Sequence, residues 1–204
     1  MSRNTVQVVW AHPRTDSLTA TVASDVTQVL RRSGLTVEVS DLYRSGFDPV
    51  LREPDEPDWN NLDKHYTPEV MAISSREGGA AAVVFVFPVW WYSMPAILKG
   101  HIDRVWNHGI FYGGGRRTGL PIVRWIALAG DTQHQYEKRG YDTMMAHHLN
   151  VGIAGFCGVE DSRLELLYNT HLDKVDPAVH VTGLRDQARA TASALVDRLT
   201  ARTP

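Results

Sequence analysis

Phe87-Pro88-Val89-Trp90-Trp91-Tyr92-Ser93-Met94-Pro95-Ala96-Ile97-Leu98-Lys99-Gly100 closes a run, residues 80–87, that is apolar at every position and rich in Val and Phe. Such a run, bounded by proline, predicts a strand buried on both faces, as at the centre of a parallel sheet. Three large aromatics follow at once, then a second proline, then a helical pattern over 95–108 with Pro95 in its first turn. Aromatics are costly to leave in water without a use. At the carboxyl end of a central parallel strand they make a flat apolar wall for a planar ligand.

The same alternation extends outward from this stretch. Residues 6–11 read as a first strand and 17–32 as a first helix, with Gly34 placed to end it. Residues 36–40 alternate like a second strand. The span 47–63, with Pro49, Pro54 and Pro57, reads as a long surface excursion. A helix over 68–77 leads into the central strand. Further on, 122–129 and 163–168 read as strands, and 142–154 and 182–200 as helices. Residues 129–141 read as a polar loop. Strands alternating with helices predict one α/β domain, a doubly wound parallel five-stranded sheet with helices on both faces.

Composition narrows the function. The chain has 204 residues and a formal net charge of −2, with no block of like charge, so no nucleic-acid footprint is expected. Cys157 is the single cysteine, expected buried and inert, which leaves no disulfide framework. The histidines lack ligand spacing, so no metal is expected. The longest apolar run, 80–91, falls short of the roughly 20 residues that cross a bilayer. With no signal-type core before the first strand, a cytoplasmic protein is expected.

Two further segments could carry chemistry. Ala11-His12-Pro13-Arg14-Thr15-Asp16-Ser17-Leu18-Thr19 leaves the first strand and opens a helix, offering hydroxyls at Thr15, Ser17 and Thr19 and a cation at Arg14. A helix start with free N–H groups suits a phosphate. A plain N-cap at Asp16 or Ser17 is the competing reading, and His12 is poorly explained by capping alone. No G-x-G-x-x-G follows a strand, and no Walker A, H-E-x-x-H or G-x-S-x-G sequence occurs. The loop 129–141 adds Tyr136, Tyr141 and His134, groups able to hydrogen-bond a carbonyl as hydride moves. A planar ring beside a hydroxyl-rich phosphate loop suggests a flavin.

These three loops together, the run Pro95-Ala96-Ile97-Leu98-Lys99-Gly100-His101-Ile102-Asp103-Arg104, Phe111-Tyr112-Gly113-Gly114-Gly115 and Phe156-Cys157-Gly158 resemble the NAD(P)H dehydrogenase (quinone) family, the DT-diaphorase-like flavodoxin-fold flavoproteins. The resemblance implies a flavodoxin-like fold, a flavin (FAD in preference to FMN), and a homodimer. It implies that NAD(P)H passes two electrons as hydride to a quinone-like acceptor by a ping-pong route. His12, Thr15, Ser17, Leu18 and Thr19 correspond to the phosphate-loop contacts. Pro88, Val89, Trp90, Trp91 and Tyr92 correspond to the wall along the ring. Leu128-Ala129-Gly130-Asp131 stands where the family usually has Thr-Thr-Gly-Gly, so Ala129, Gly130 and Asp131 are the ring contacts implied and a carboxylate replaces a glycine. Tyr136 matches the reactive-site tyrosine. The family's mammalian-type members place a histidine near Tyr141 or Asp142, and His134 is the substitute this sequence offers. Alternatives in the same fold are an ancillary subunit docked to a potassium-efflux transporter, an azo or nitro reductase, and a one-electron carrier, the last disfavoured by the near-neutral charge.

Overall fold

The computed structural model describes residues 4–116, 118–171 and 176–202. Five parallel strands form one sheet: β1 (Thr5–Trp10), β2 (Thr36–Asp41), β3 (Ala82–Pro88), β4 (Ile122–Leu128) and β5 (Asp161–Leu167), in the order β2-β1-β3-β4-β5. β3 lies between β1 and β4, with Val84 opposite both Val8 and Arg124. Every residue of β3 is buried, as its unbroken apolar run predicts.

Because side chains alternate across a strand, β3 feeds two cores. Val83, Phe85 and Phe87 face one core with Leu98, Trp106, Trp125 and Tyr136. Ala82, Val84 and Val86 face the other, with Val22, Val26 and Leu30 of α1 (Leu18–Arg32) and Leu184, Ala188 and Leu195 of the long C-terminal helix Pro177–Thr200. Asp25 ties those two helices together, accepting from Arg185 Nε at 2.6 Å and Arg189 Nη2 at 3.0 Å. On the first face, α2 (Pro68–Gly78) and α3 (Ala96–Val105) are joined inside the core by Glu77, which meets His101 Nε2 at 2.7 Å and accepts from Trp106 Nε1 at 2.8 Å.

The excursion 47–63 is strapped to α3. Buried Arg104 donates to Asp55 at 2.9 Å and to the Asp48 carbonyl. A Cβ at Gly100 would lie 2.1 Å from the Pro49 carbonyl oxygen, so this backbone approach requires glycine.

The helices between β4 and the last helix depart from expectation. The polar stretch expected as a loop contains α4 (Gln133–Arg139), capped by Thr132 and ended by Gly140 in the left-handed conformation. The single helix expected over 142–154 is instead α5 (Tyr141–Ala146) followed by nine residues of π-helix, His147–Gly155. The last helix, α6, starts at Pro177 rather than 182, with Asp176 accepting from Ala178 N. Helix α3 stops at Val105 rather than 108. Cys157 is buried, and burial pushes its thiol up to about 12. Among the described residues no helix is long and apolar enough to cross a membrane.

Candidate functional site

Strand order reverses between β1 and β3, the kind of switch point at whose carboxyl side open α/β sheets bind ligands. The loop after β1 stands at this reversal. Ser17 is the N-cap of α1, its Oγ accepting from Ala20 N at 3.1 Å. That hydroxyl is therefore committed to the cap. The backbone N–H groups of residues 15–19 find no acceptor among the described residues. They stay available at the positive end of the helix. Thr15 is exposed, Leu18 half-buried and Thr19 buried.

His12 Nδ1 accepts from Arg14 N at 3.1 Å. Burial pushes the imidazole below its ordinary range, and the charges of Arg14 and Arg44 act in the same direction. Arg44 clamps the loop from outside, donating to the carbonyls of His12 and Pro13, the latter at 2.9 Å. Its guanidinium also lies 5.1 Å from the Trp10 ring centre. The loop's carbonyls thus turn toward Arg44.

The stretch after β3 supplies the wall. Val89 N still donates to Leu128 O at 2.8 Å, extending the sheet by one residue. Trp90 and Ser93 then exchange both backbone hydrogen bonds, at 3.0 and 3.1 Å. The central residues of that tight turn, Trp91 and Tyr92, have φ of +52° and +54°. Such a turn ordinarily takes Asn or Gly. The left-handed conformation costs a side-chain-bearing residue about 1–2 kcal/mol, and strain of this kind gathers at ligand clamps. Trp91 is 95 % exposed. Trp90 turns toward the first loop, its ring 6.4 Å from that of His12.

The segment after β4 closes the far side. Ala129 is fixed from both directions, donating to Leu167 O at 2.8 Å and accepting from Thr170 N at 3.0 Å. Asp131 Oδ1 accepts from Thr132 N at 2.8 Å, while the Asp131 carbonyl accepts from Asn169 N at 2.8 Å. His171 lies directly over Gly130, where a Cβ would come within 2.4 Å of its ring.

Tyr92 of the wall joins a cluster with Tyr136, Tyr141 and Tyr168. Tyr136 is 3 % exposed and meets Tyr92, Tyr141 and Tyr168 edge-on at 5.8, 6.0 and 5.3 Å. Its hydroxyl is pushed up to about 12, by burial first and then by the charges of its neighbours, Asp131 among them. Tyr92 is raised too, chiefly by its hydrogen bond with Tyr141. The resulting cleft, about 580 Å³, runs from Val89 past Trp91 and Tyr92 to Gly130, Tyr136 and His171. That volume suits a cofactor-sized ligand.

A family model described as the flavodoxin-like fold matches residues 4–192. The chain belongs to this family. An Escherichia coli K12 protein named as an NAD(P)H oxidoreductase is 42% identical over 170 residues, covering 83% of this chain and 86% of its own length. Mouse ribosyldihydronicotinamide dehydrogenase [quinone] is 30% identical over 182 residues, covering 78% of each chain. The solved structure of an NAD(P)H:quinone oxidoreductase from Methanothermobacter marburgensis is similar at 27% identity with a TM-score of 0.80, over 93% of this chain and 98% of that one.

In flavodoxin a flavin sits at the β1/β3 reversal, and the residues of this chain near that point have the chemistry to hold one. The N–H groups of 15–19 suit its phosphate, and Val89, Trp91 and Tyr92 suit its ring. Pro88 and Ala129 are buried. Of the groups singled out in the sequence, His134 stands apart. It lies exposed on α4, and among the described residues its ring meets none of the tyrosines. Tyr141 is brought to the site instead, through Tyr92. Thr132, Asn169 and His171 line the cleft without having been singled out. The latter two reach it from beyond β5, and Asn169, at φ +60°, is the residue type most prone to that conformation after glycine.

Proposed function

We propose that this chain is a flavin-dependent NAD(P)H:quinone oxidoreductase. The net reaction is NAD(P)H + H⁺ + quinone giving NAD(P)⁺ + hydroquinone. Donor and acceptor take turns in the one cleft. The observation that carries the reading is the strained Trp91–Tyr92 turn, set over the buried Tyr136 and opposite a helix start with free N–H groups.

When bound, the flavin supplies a two-electron carrier for hydride. The chain's own residues do the rest. Trp91 and Tyr92 hold a flat partner at the short separation that hydride transfer demands. Tyr136 stays protonated at working pH and donates a hydrogen bond to the acceptor oxygen as negative charge develops there. Tyr141 braces the Tyr92 ring by stacking on it. Burial, with the charges of Arg14 and Arg44, disfavours the charged form of His12, which suits it to the phosphate loop as a hydrogen-bonding group.

FAD is the form we favour, because the strapped arm 47–63 and the Gly113 loop resemble the FAD-binding branch. A homodimer belongs to the same reading. Its support is an exposed apolar surface away from the cleft: Trp59, 69 % exposed, stands over His108, and Phe156 packs on Tyr112. Light scattering of the wild type and of Phe156→Glu tests it, the variant being expected as a monomer. For the activity itself the test is the visible spectrum of the purified protein before and after anaerobic NADPH, with the released flavin identified by chromatography. Bound flavin that bleaches supports the proposal. Failure to hold flavin even after reconstitution overturns it.

A further inference from the structure

Among the described residues that line the cleft, Asp131 is the only carboxylate, and no lysine or arginine faces it there. Its Oδ1 accepts from Thr132 N, and its second oxygen has no partner among the described residues. Among the described residues, Arg139 acts on the Tyr92 hydroxyl from outside the lining, its guanidinium held by Gln135. The carboxylate is exposed, yet its charge reaches the hydroxyls of both Tyr92 and Tyr136. Its field therefore lies across the place where the acceptor must sit.

We propose that Asp131 makes the cleft charge-selective, admitting uncharged or cationic quinoid acceptors and disfavouring those that carry a sulfonate or carboxylate. The inference rests on the oxidoreductase reading above and names the substrate class of that site. Two like charges within one partly desolvated cleft repel more than they would in bulk water. An open mouth and salt moderate the effect, so the expected discrimination is about tenfold, or about 1.4 kcal/mol. The carboxylate does not oppose the donor's chemistry. A reduced nicotinamide ring is neutral and gains positive charge as hydride leaves, and a nearby anion favours that change.

The test compares a neutral naphthoquinone with its sulfonated analogue, at about pH 8.5, above the range in which histidines ordinarily titrate. The quantity read is the neutral-to-sulfonated ratio of kcat/KM. A second ratio, the Kd of naphthol sulfonate over the Kd of naphthol, uses ligands that accept no electrons and is followed by the change in the visible spectrum of the flavin-loaded protein. Asp131→Asn should lower both ratios about tenfold, and Asp131→Glu should keep them. Salt near 1 M, where screening acts within about 3 Å, should compress the wild-type ratios. Ratios unchanged in Asp131→Asn would overturn the inference. If no quinone is turned over at all, the oxidoreductase reading fails, and the Kd ratio still decides the role of Asp131.

Discussion

The rings of Tyr92 and Tyr141 stack with centroids 3.7 Å apart and planes 24° from parallel. Tyr92 occupies the second left-handed position of the aromatic turn, and Tyr141 is the first residue of α5. A helix start thus braces a strained loop from another part of the chain. Tyr141→Phe keeps the stack and removes the hydroxyl, whereas Tyr141→Ala removes both. The alanine variant should lose about 1 kcal/mol of stability from the missing ring pair and raise KM for the acceptor several-fold. The phenylalanine variant should keep the melting temperature and change mainly kcat. Thermal melts run beside steady-state kinetics separate the two.

Trp91 gives the opposite trade. Its side chain is almost wholly exposed, and its backbone is held at φ +52°. Asparagine tolerates that conformation far better than tryptophan. Trp91→Asn should therefore stabilise the protein by about 1 kcal/mol and raise its Tm by about 2–4 °C. Flavin retention or quinone turnover should fall in the same variant. A lower Tm would show that the strain is not where the backbone angles place it.

Tyr136→Phe should keep the fold and the flavin but lower kcat by about 10². The sign of the pH dependence follows from the raised hydroxyl. A pKa pushed up to about 12 keeps the proton on Tyr136 well above the ordinary tyrosine range. The wild-type rate should therefore show no Tyr136-linked loss near pH 10, where a free tyrosine ionises. A pH–rate profile of both proteins checks this, and a variant as fast as wild type would remove Tyr136 from the reaction.

Asp25 links stability to pH. Burial alone would raise its carboxyl, but hydrogen bonds from Arg185 and Arg189 outweigh it and hold the group below the usual carboxylate range. A depressed folded-state pKa contributes stability that is fully present above the unfolded value of about 3.9 and is lost as pH falls through the folded one. Asp25→Asn should lose about 2 kcal/mol at neutral pH and show a flatter acid limb in urea melts taken between about pH 5 and pH 2. Parallel acid limbs for the two proteins would assign the acid sensitivity to other groups.

The sheet was legible because its strands are marked by apolar runs that only buried β-structure explains, residues 82–88 above all. The junctions that lead from β1 into α1 and from β3 into α3 were legible as strand-to-helix turns. Helix α4 was not, since Tyr136 is its one buried residue and a single apolar position has no period. Its caps were present all the same, in Thr132 with Gln135 three residues later and in Gly140. The π-helical stretch His147–Gly155 has an apolar sequence that reads equally well as an ordinary helix turn. Asp176-Pro177 marked the true start of α6, but the apolar stripe begins further on at Leu184. His171 meets Gly130 only because β5 lies beside β4, a relation of the fold and not of the local sequence.

Arg44 holds the carbonyls of His12 and Pro13, and Ser17 closes the first turn of α1 without outside help. The loop after β1 is therefore stiff before anything enters it. A guest need not organise the loop on arrival, so little ordering entropy is charged against its affinity. If the loop holds the flavin proposed above, the protein should survive removal of that group with its fold intact, and take the group up again by simple mixing, without refolding.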